Sequence, residues 1–157
     1  MQLTEAQPPR PSFGTWLAAG AEFVTLSRFQ GHTLVYLPVR DTFYFASPSA
    51  LLAPDCPEKT VLLGQFVIDD SSTPRILLFD VARLQGVAMK DVPAKERYAC
   101  LQKLEPAFGP LCALQWAGDC DALFSELQAG RFAVPHAVRG VMALTGHPGR
   151  MVLQALK

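Results

Sequence analysis

Cysteine is sparse in this 157-residue chain, and Cys56, Cys100, Cys112 and Cys120 include no Cys-x-x-Cys pair. That spacing is what thiolate zinc sites and redox couples use, so neither is expected. No leading segment joins basic residues to an apolar signal core, which predicts an intracellular protein, cytoplasmic or nuclear, with reduced thiols. No uncharged, proline-free apolar run approaches the roughly 20 residues of a membrane helix, so no membrane partner is expected. Net charge is lacking too, with 14 basic residues against 14 acidic ones. Such a chain has no long-range field for polyanions, and any nucleic-acid contact has to be a local patch. His32, His136 and His147 are too scattered to form a metal set, and no metal or cofactor is expected.

Apolar residues, by contrast, make up 50% of the chain and charged ones only 18%. That surplus predicts apolar surface for a protein partner or a homo-oligomer, and the uncharged stretch "FGPLCALQWAG" is a candidate for it. The length suits one domain able to bury roughly two thirds of its unfolded surface. Residues 1–12, with three prolines and few apolar anchors, read as a loose N-terminal tail, and 13–157 as a single domain.

Within that domain "EFVTLSRF", "HTLVYLPV" and "DTFYFAS" are dense in β-branched and aromatic residues and predict an antiparallel meander. "SPSALLA" can make one helical turn. "VLLGQFVIDDSSTPRILLFDVARLQG" predicts a hairpin, its turn built by Asp and Ser side chains that bond to nearby backbone. Helical spacing of Tyr98, Leu101 and Leu104 after Pro93 predicts one helix, and Asp119 to Gly130 a second with an acidic cap and a glycine stop. "LCALQWA" between them reads as a strand, and "RGVMALTGHPGRMVLQALK" as a final hairpin. The fold class is α+β, with a largely antiparallel sheet and flanking helices.

Several stretches occur in an informative order: "RFQG", "LGQF", "ILLFDVARLQG", "DVPAKERYACLQKL", Arg139-Gly140-Val141-Met142 and "VLQALK". Together, over roughly residues 20–157, they resemble the nucleotidyltransferase domain of mRNA guanylyltransferases and nucleotide-activating ligases, and the related cap-binding domain of snurportin. In that resemblance "RFQG" stands where the family has Lys-x-Asp-Gly, with Arg28 in the nucleophile's place and Gln30 in the aspartate's, and with Gly31 kept. "LGQF" matches an Asp-Gly-Glu strand with Gln65 in place of the acid. "ILLFDVARLQG" matches an apolar strand ending in Phe-Asp and is the strongest of these matches. Arg139 replaces an acid, and Ala155 stands where the snurportin-like pattern has its cap-stacking tryptophan.

These substitutions bear on the chemistry that the resemblance implies. Nucleophilic attack needs a neutral amine, which a lysine can supply and the guanidinium of Arg28 cannot. No other lysine precedes Lys59. A divalent metal needs carboxylates, and Gln30, Gln65 and Arg139 are not carboxylates; only Asp80 remains, and it could simply cap a turn. Four matched positions that would carry about minus two carry plus two here. The expectation is a pseudoenzyme with no catalytic residues that binds a phosphate-bearing ligand, a nucleotide or RNA cap, by forked guanidinium donors. The residues expected at that site are Arg28, Gln30, Gly31, His32, Gln65, Phe79 and Arg139, with Phe79 either stacking on a base or packing in the core. The alternatives are a structural subunit of a larger assembly, ribonucleoproteins included, with a vestigial pocket, and, more weakly, an active nucleotidyltransferase.

Overall fold

The computed structural model describes residues 3–5, 13–37, 42–46 and 48–156, with side chains at 13–37 and 50–156. Twelve strands are found among them: β1 (Leu3–Glu5), β2 (Phe13–Ala18), β3 (Glu22–Phe29), β4 (His32–Leu37), β5 (Thr42–Ala46), β6 (Thr60–Ile68), β7 (Pro74–Leu84), β8 (Val87–Ala88), β9 (Cys112–Leu114), β10 (Ala117–Asp119), β11 (Val138–Leu144) and β12 (Met151–Ala155). Three helices join them: α1 (Pro48–Leu51), α2 (Ala94–Leu104) and α3 (Cys120–Gln128). This is a mixed α+β chain dominated by antiparallel sheet, in line with the expected class.

The strands form two sheets, one in the order β1-β12-β11-β2-β10 and a second in the order β5-β4-β3-β6-β7-β8, with β9 added beside β7. Side-chain alternation sorts the core into layers. Leu17, Phe23, Leu63, Phe79, Met142, Leu144, Met151 and Leu153 fill the space between the sheets. Val24, Leu26, Leu62, Ile76, Leu78 and Val81 point from the larger sheet to Tyr98 and Leu101 of α2. Trp16, Val141 and Ala143 point from the smaller sheet to Leu123 and Leu127 of α3. The result is four layers: α3, five strands, seven strands, α2.

Local chemistry explains the turns. Gln30 and Gly31 both have positive φ, 49° and 75°, and Phe29 pairs with His32, so β3 and β4 are joined by a two-residue turn of the type that matches strand twist. Asp69 closes the β6–β7 turn by accepting from Ser71 N and Thr73 N, each at 2.9 Å. Asp119 caps α3 by accepting from Ala122 N at 2.9 Å, and Gly130 follows the helix at φ 70°.

Two expectations are corrected. Leu3–Glu5, assigned to a loose tail, forms β1 and pairs in parallel with β12, whose outer edge would otherwise leave backbone groups unpaired; the rest of that tail lies outside the described residues. The single strand expected at 111–117 is divided between sheets: β9 joins β7, β10 joins β2, and the chain crosses at Gln115-Trp116. Gln115 holds the crossing. Its N donates to Leu78 O at 2.9 Å, and its Nε2 donates to Trp16 O at 2.8 Å and Gln65 Oε1 at 2.7 Å.

Candidate functional site

The structure disperses the residues that sequence placed in one site. Gln65 and Phe79 are both 0% exposed. Gln65 accepts from Gln115 and donates to Met142 Sδ at 3.7 Å, bridging the two sheets, while Phe79 meets the edge of Phe23 with ring centroids 6.3 Å apart. Of the two roles weighed for Phe79, the structure has it as core. Arg139 is exposed on β11, in the other sheet, and its carbonyl accepts from Leu156 N. Gln65 and Phe79 are closed to any ligand, and Arg139 stands on the other sheet from Arg28.

Arg28, Gln30, Gly31 and His32 do lie together, at the β3–β4 hairpin. Arg28 shares a face with its cross-strand partners Thr33 and Thr60, both fully buried. Its Nη1 donates to Gly31 O at 3.0 Å, and its Nε lies 3.7 Å from Glu58 Oε1, which also accepts from Gly31 N at 2.6 Å. The guanidinium thus fastens the hairpin to the segment before β6. Gln30 supplies backbone shape, and His32 stands exposed opposite Phe29.

The other face of the same hairpin is more open. Ser27 pairs with Leu34 on one side and Val61 on the other, and Val61 pairs with Arg83, so these four side chains make one row across β4, β3, β6 and β7. Phe23 and Leu63 continue that face beneath the smaller sheet, but Phe29, beyond its cover, is 47% exposed. A cavity of about 500 Å³ opens here, lined by Ser27, Phe29, Leu34, Lys59, Val61, Arg83, Gly86 and part of Arg28. Among the described residues its lining carries no carboxylate.

Backbone geometry presents two cations to this cavity. Lys59 has φ 57°, its N donates to Arg28 O at 2.8 Å, and its O accepts from Gly86 N at 2.9 Å. The Lys59 stem passes over Gly86, where a Cβ would stand 3.6 Å from Lys59 Cδ. Arg83 Nη1 donates to Gly86 O at 3.1 Å, leaving the rest of its fork toward the cavity. Neither Lys59 nor Arg83 was among the expected residues. Arg83 sits inside a stretch recognised for its apolar pattern, and two register shifts in the β6–β7 pairing decide its face. Val81 is turned to the α2 side, while Phe79 and Arg83 face the smaller sheet.

Asp80, the one carboxylate left by the motif comparison, is engaged elsewhere. Arg97 Nε donates to Asp80 Oδ1 at 2.7 Å and Arg97 Nη2 to Oδ2 at 3.2 Å, and Val81 N donates to Oδ1 at 2.8 Å. The pair is sealed, with side-chain exposures of 0% and 1%. Burial pushes the Asp80 carboxyl above its ordinary value, opposed by the Arg97 guanidinium. Arg97 also donates to Val92 O at 2.5 Å and Thr145 O at 2.6 Å, so one side chain joins β7, the entry to α2 and the end of β11. Asp80 therefore does not merely cap a turn.

The divalent metal that the resemblance implies does not fit these residues. Gln65 is bonded to other side chains, Asp80 is held by a permanent cation, and Gln30 and Arg139 offer no carboxylate. Among the described residues no group of three or more His, Cys, Asp or Glu is placed to hold a metal ion. Two of the thiols are poor nucleophiles: burial raises Cys56 to about 11 and Cys112 to about 12. No described helix is long and apolar enough to cross a membrane. What the open face can do is hold phosphate oxygens on Lys59 and Arg83 and lay an apolar ring on Phe29. Compared with known proteins, the chain matches no family model and no curated protein sequence.

Proposed function

We propose that this chain is a non-catalytic domain, of nucleotidyltransferase-like fold, that recognises a phosphate-bearing ligand such as a nucleotide or an RNA cap. The observation that carries the reading is the cavity with Lys59 and Arg83 in its wall, an exposed Phe29 at its mouth and no carboxylate among the described residues of its lining. In this reading the phosphates sit on Lys59 and Arg83, Ser27 contributes a hydroxyl, and Phe29 takes the stacking role that sequence had offered to Phe79. Arg28 serves by fixing the hairpin that carries Phe29, and the binding needs no metal.

Titration calorimetry with GTP and with a cap dinucleotide, in chelator, tests this. Arg83→Ala and Lys59→Ala should each cost about 1.5–3 kcal/mol of binding if a charged hydrogen bond is lost. Wild-type affinity in both variants, or binding that requires magnesium, would sink the reading.

A second reading, a structural subunit of a larger assembly, is favoured by a different observation. Gln65 and Phe79 are sealed in the core, whereas Trp116, just before β10, the edge strand among the described residues, is 43% exposed and stacked at 6.5 Å on Trp16. Light scattering over a concentration series separates the two: a monomer at high concentration that binds GTP supports recognition, and self-association without GTP binding supports the subunit.

A further inference from the structure

A second cavity, of about 340 Å³, lies beside the first and is lined by Ala82, Ala88, Lys90, His147, Pro148 and Arg150. The two are neighbours on one face. Ala88 is the cross-strand partner of Arg83, so the row Leu34, Ser27, Val61, Arg83 ends on Ala88, and the irregularity at Ala82 leaves that residue beside Arg83. Arg83 is thus the divide between the cavities. Together their linings hold Arg28, Lys59, Arg83, Lys90, Arg150 and His147, and again no carboxylate among the described residues. In a chain whose charges cancel overall, this is a marked local segregation.

The groups in the second cavity stand on fixed backbone. Within the β11–β12 turn Thr145 Oγ1 accepts from His147 N at 3.1 Å, and its one hydrogen is directed between Arg150 O at 2.9 Å and His147 O at 3.1 Å. That turn is anchored from outside by Arg97 Nη2 on Thr145 O and by Asp91 N on Gly146 O at 2.9 Å. Gly149 lies against Leu63, where a Cβ would stand 3.4 Å from its side chain, so the turn overhangs the sheet at the margin of the open face. Met89 N donates to Ala82 O at 3.0 Å and sets the position of Lys90.

We infer that the two cavities form one track for a single-stranded nucleic acid, with successive phosphates on Lys59, Arg83, Lys90 and Arg150 and a base on Phe29. This rests on the proposed recognition of phosphate at Lys59 and Arg83 and extends it from one nucleotide to a chain. The row crosses five strands, from β4 to β8, a span of roughly 19 Å at the usual strand spacing. Along it the cations run from Lys59, just before β6, past Arg83 on β7 to Lys90, just after β8, about two strand spacings or roughly 10 Å, with Arg150 on the β11–β12 turn; such a string matches phosphates along a backbone better than the clustered phosphates of one nucleotide. A duplex would keep its bases stacked inside and leave Phe29 without a partner; an unpaired strand gives it one.

The test is fluorescence anisotropy with labelled 12-nucleotide RNA and DNA strands of mixed sequence, run beside GTP calorimetry, on wild type and Lys90→Ala/Arg150→Ala. Four phosphate contacts give a slope of log affinity against log salt near −3, a weakening of about 50-fold between 50 and 200 mM salt. The double variant should lower strand affinity about tenfold or more and flatten the slope to about half, while leaving GTP affinity unchanged. Equal strand binding by variant and wild type, with GTP still bound, overturns the track and leaves the nucleotide reading standing. Failure of wild type to bind either GTP or strand overturns both. A 12-base-pair duplex that competes as well as the unlabelled strand overturns the single-strand assignment. Tighter binding of the ribose strand supports the track and assigns it to RNA, and equal binding supports it as a reader of backbone and bases alone.

Discussion

Replacing Asp80 with asparagine separates a structural carboxylate from a ligand-binding one. In the native chain the two oxygens of Asp80 receive Arg97 Nε at 2.7 Å, Arg97 Nη2 at 3.2 Å and Val81 N at 2.8 Å, with both side chains closed to solvent. The substituted amide would turn an NH2 toward a guanidinium N–H and leave the Arg97 charge buried without its counter-ion. Breaking such a pair from one side costs about 3–5 kcal/mol, a large share of the roughly 5–15 kcal/mol by which domains are stable. With a urea slope of about 2 kcal/mol/M the unfolding midpoint should fall by roughly 2 M at unchanged slope. The double replacement Asp80→Leu/Arg97→Met should recover much of that loss, since an apolar pair of similar volume removes both charges together. Equilibrium urea unfolding followed by tryptophan fluorescence measures all three proteins. A loss below about 1 kcal/mol in Asp80→Asn, or a loss of GTP binding at native stability, would refute the structural assignment.

Three further outcomes are expected. Incubation with labelled ATP or GTP and magnesium should leave no labelled band on denaturing electrophoresis, because Arg28 cannot act as the amine nucleophile; a labelled band at 17.1 kDa would overturn the pseudoenzyme reading. Gly140→Ala should destabilise by about 3 kcal/mol, since a Cβ there would stand 2.1 Å from Gln154 O on the paired strand β12; a thermal midpoint equal to wild type would show that the strands can part. Alkaline pH should weaken the fold, because burial raises Cys56 to about 11 and Cys112 and Tyr98 to about 12, so each is held neutral in the native state and ionises more readily when unfolded. Stability is then full below about pH 9 and falls as pH rises toward about 12, and a thermal midpoint flat from pH 8 to 11 would contradict it.

Much of the local structure was legible in the chain. β3, β4, β6, β7, α2 and α3 fall where apolar spacing and Gly, Pro and Asp punctuation place them, because those signals act over a few residues. The Gln30-Gly31 turn, the Asp69 turn and the Asp119 cap are satisfied by neighbours in sequence, so residue type alone specifies them. The absence of a nucleophilic lysine and of metal-binding acids at the motif positions is also a property of composition and order, independent of packing.

Tertiary structure decided which of those positions meet. Gln65 reads as a site residue until Gln115, fifty positions later, takes its amide oxygen, and Asp80 reads as a turn cap until Arg97 arrives from a helix. The uncharged run at 108–118 could not reveal its division between two sheets, because each half is paired by a strand far away in sequence. Lys59, Arg83, Lys90 and Arg150 are scattered over more than ninety residues and look like ordinary solvated cations. They share one face only because the β6–β7 register shifts turn Arg83 toward the smaller sheet and the β11–β12 turn is anchored over the larger sheet's margin. Charge composition is local and additive, and so can be read from a sequence; charge placement depends on long-range register, which only the folded chain specifies.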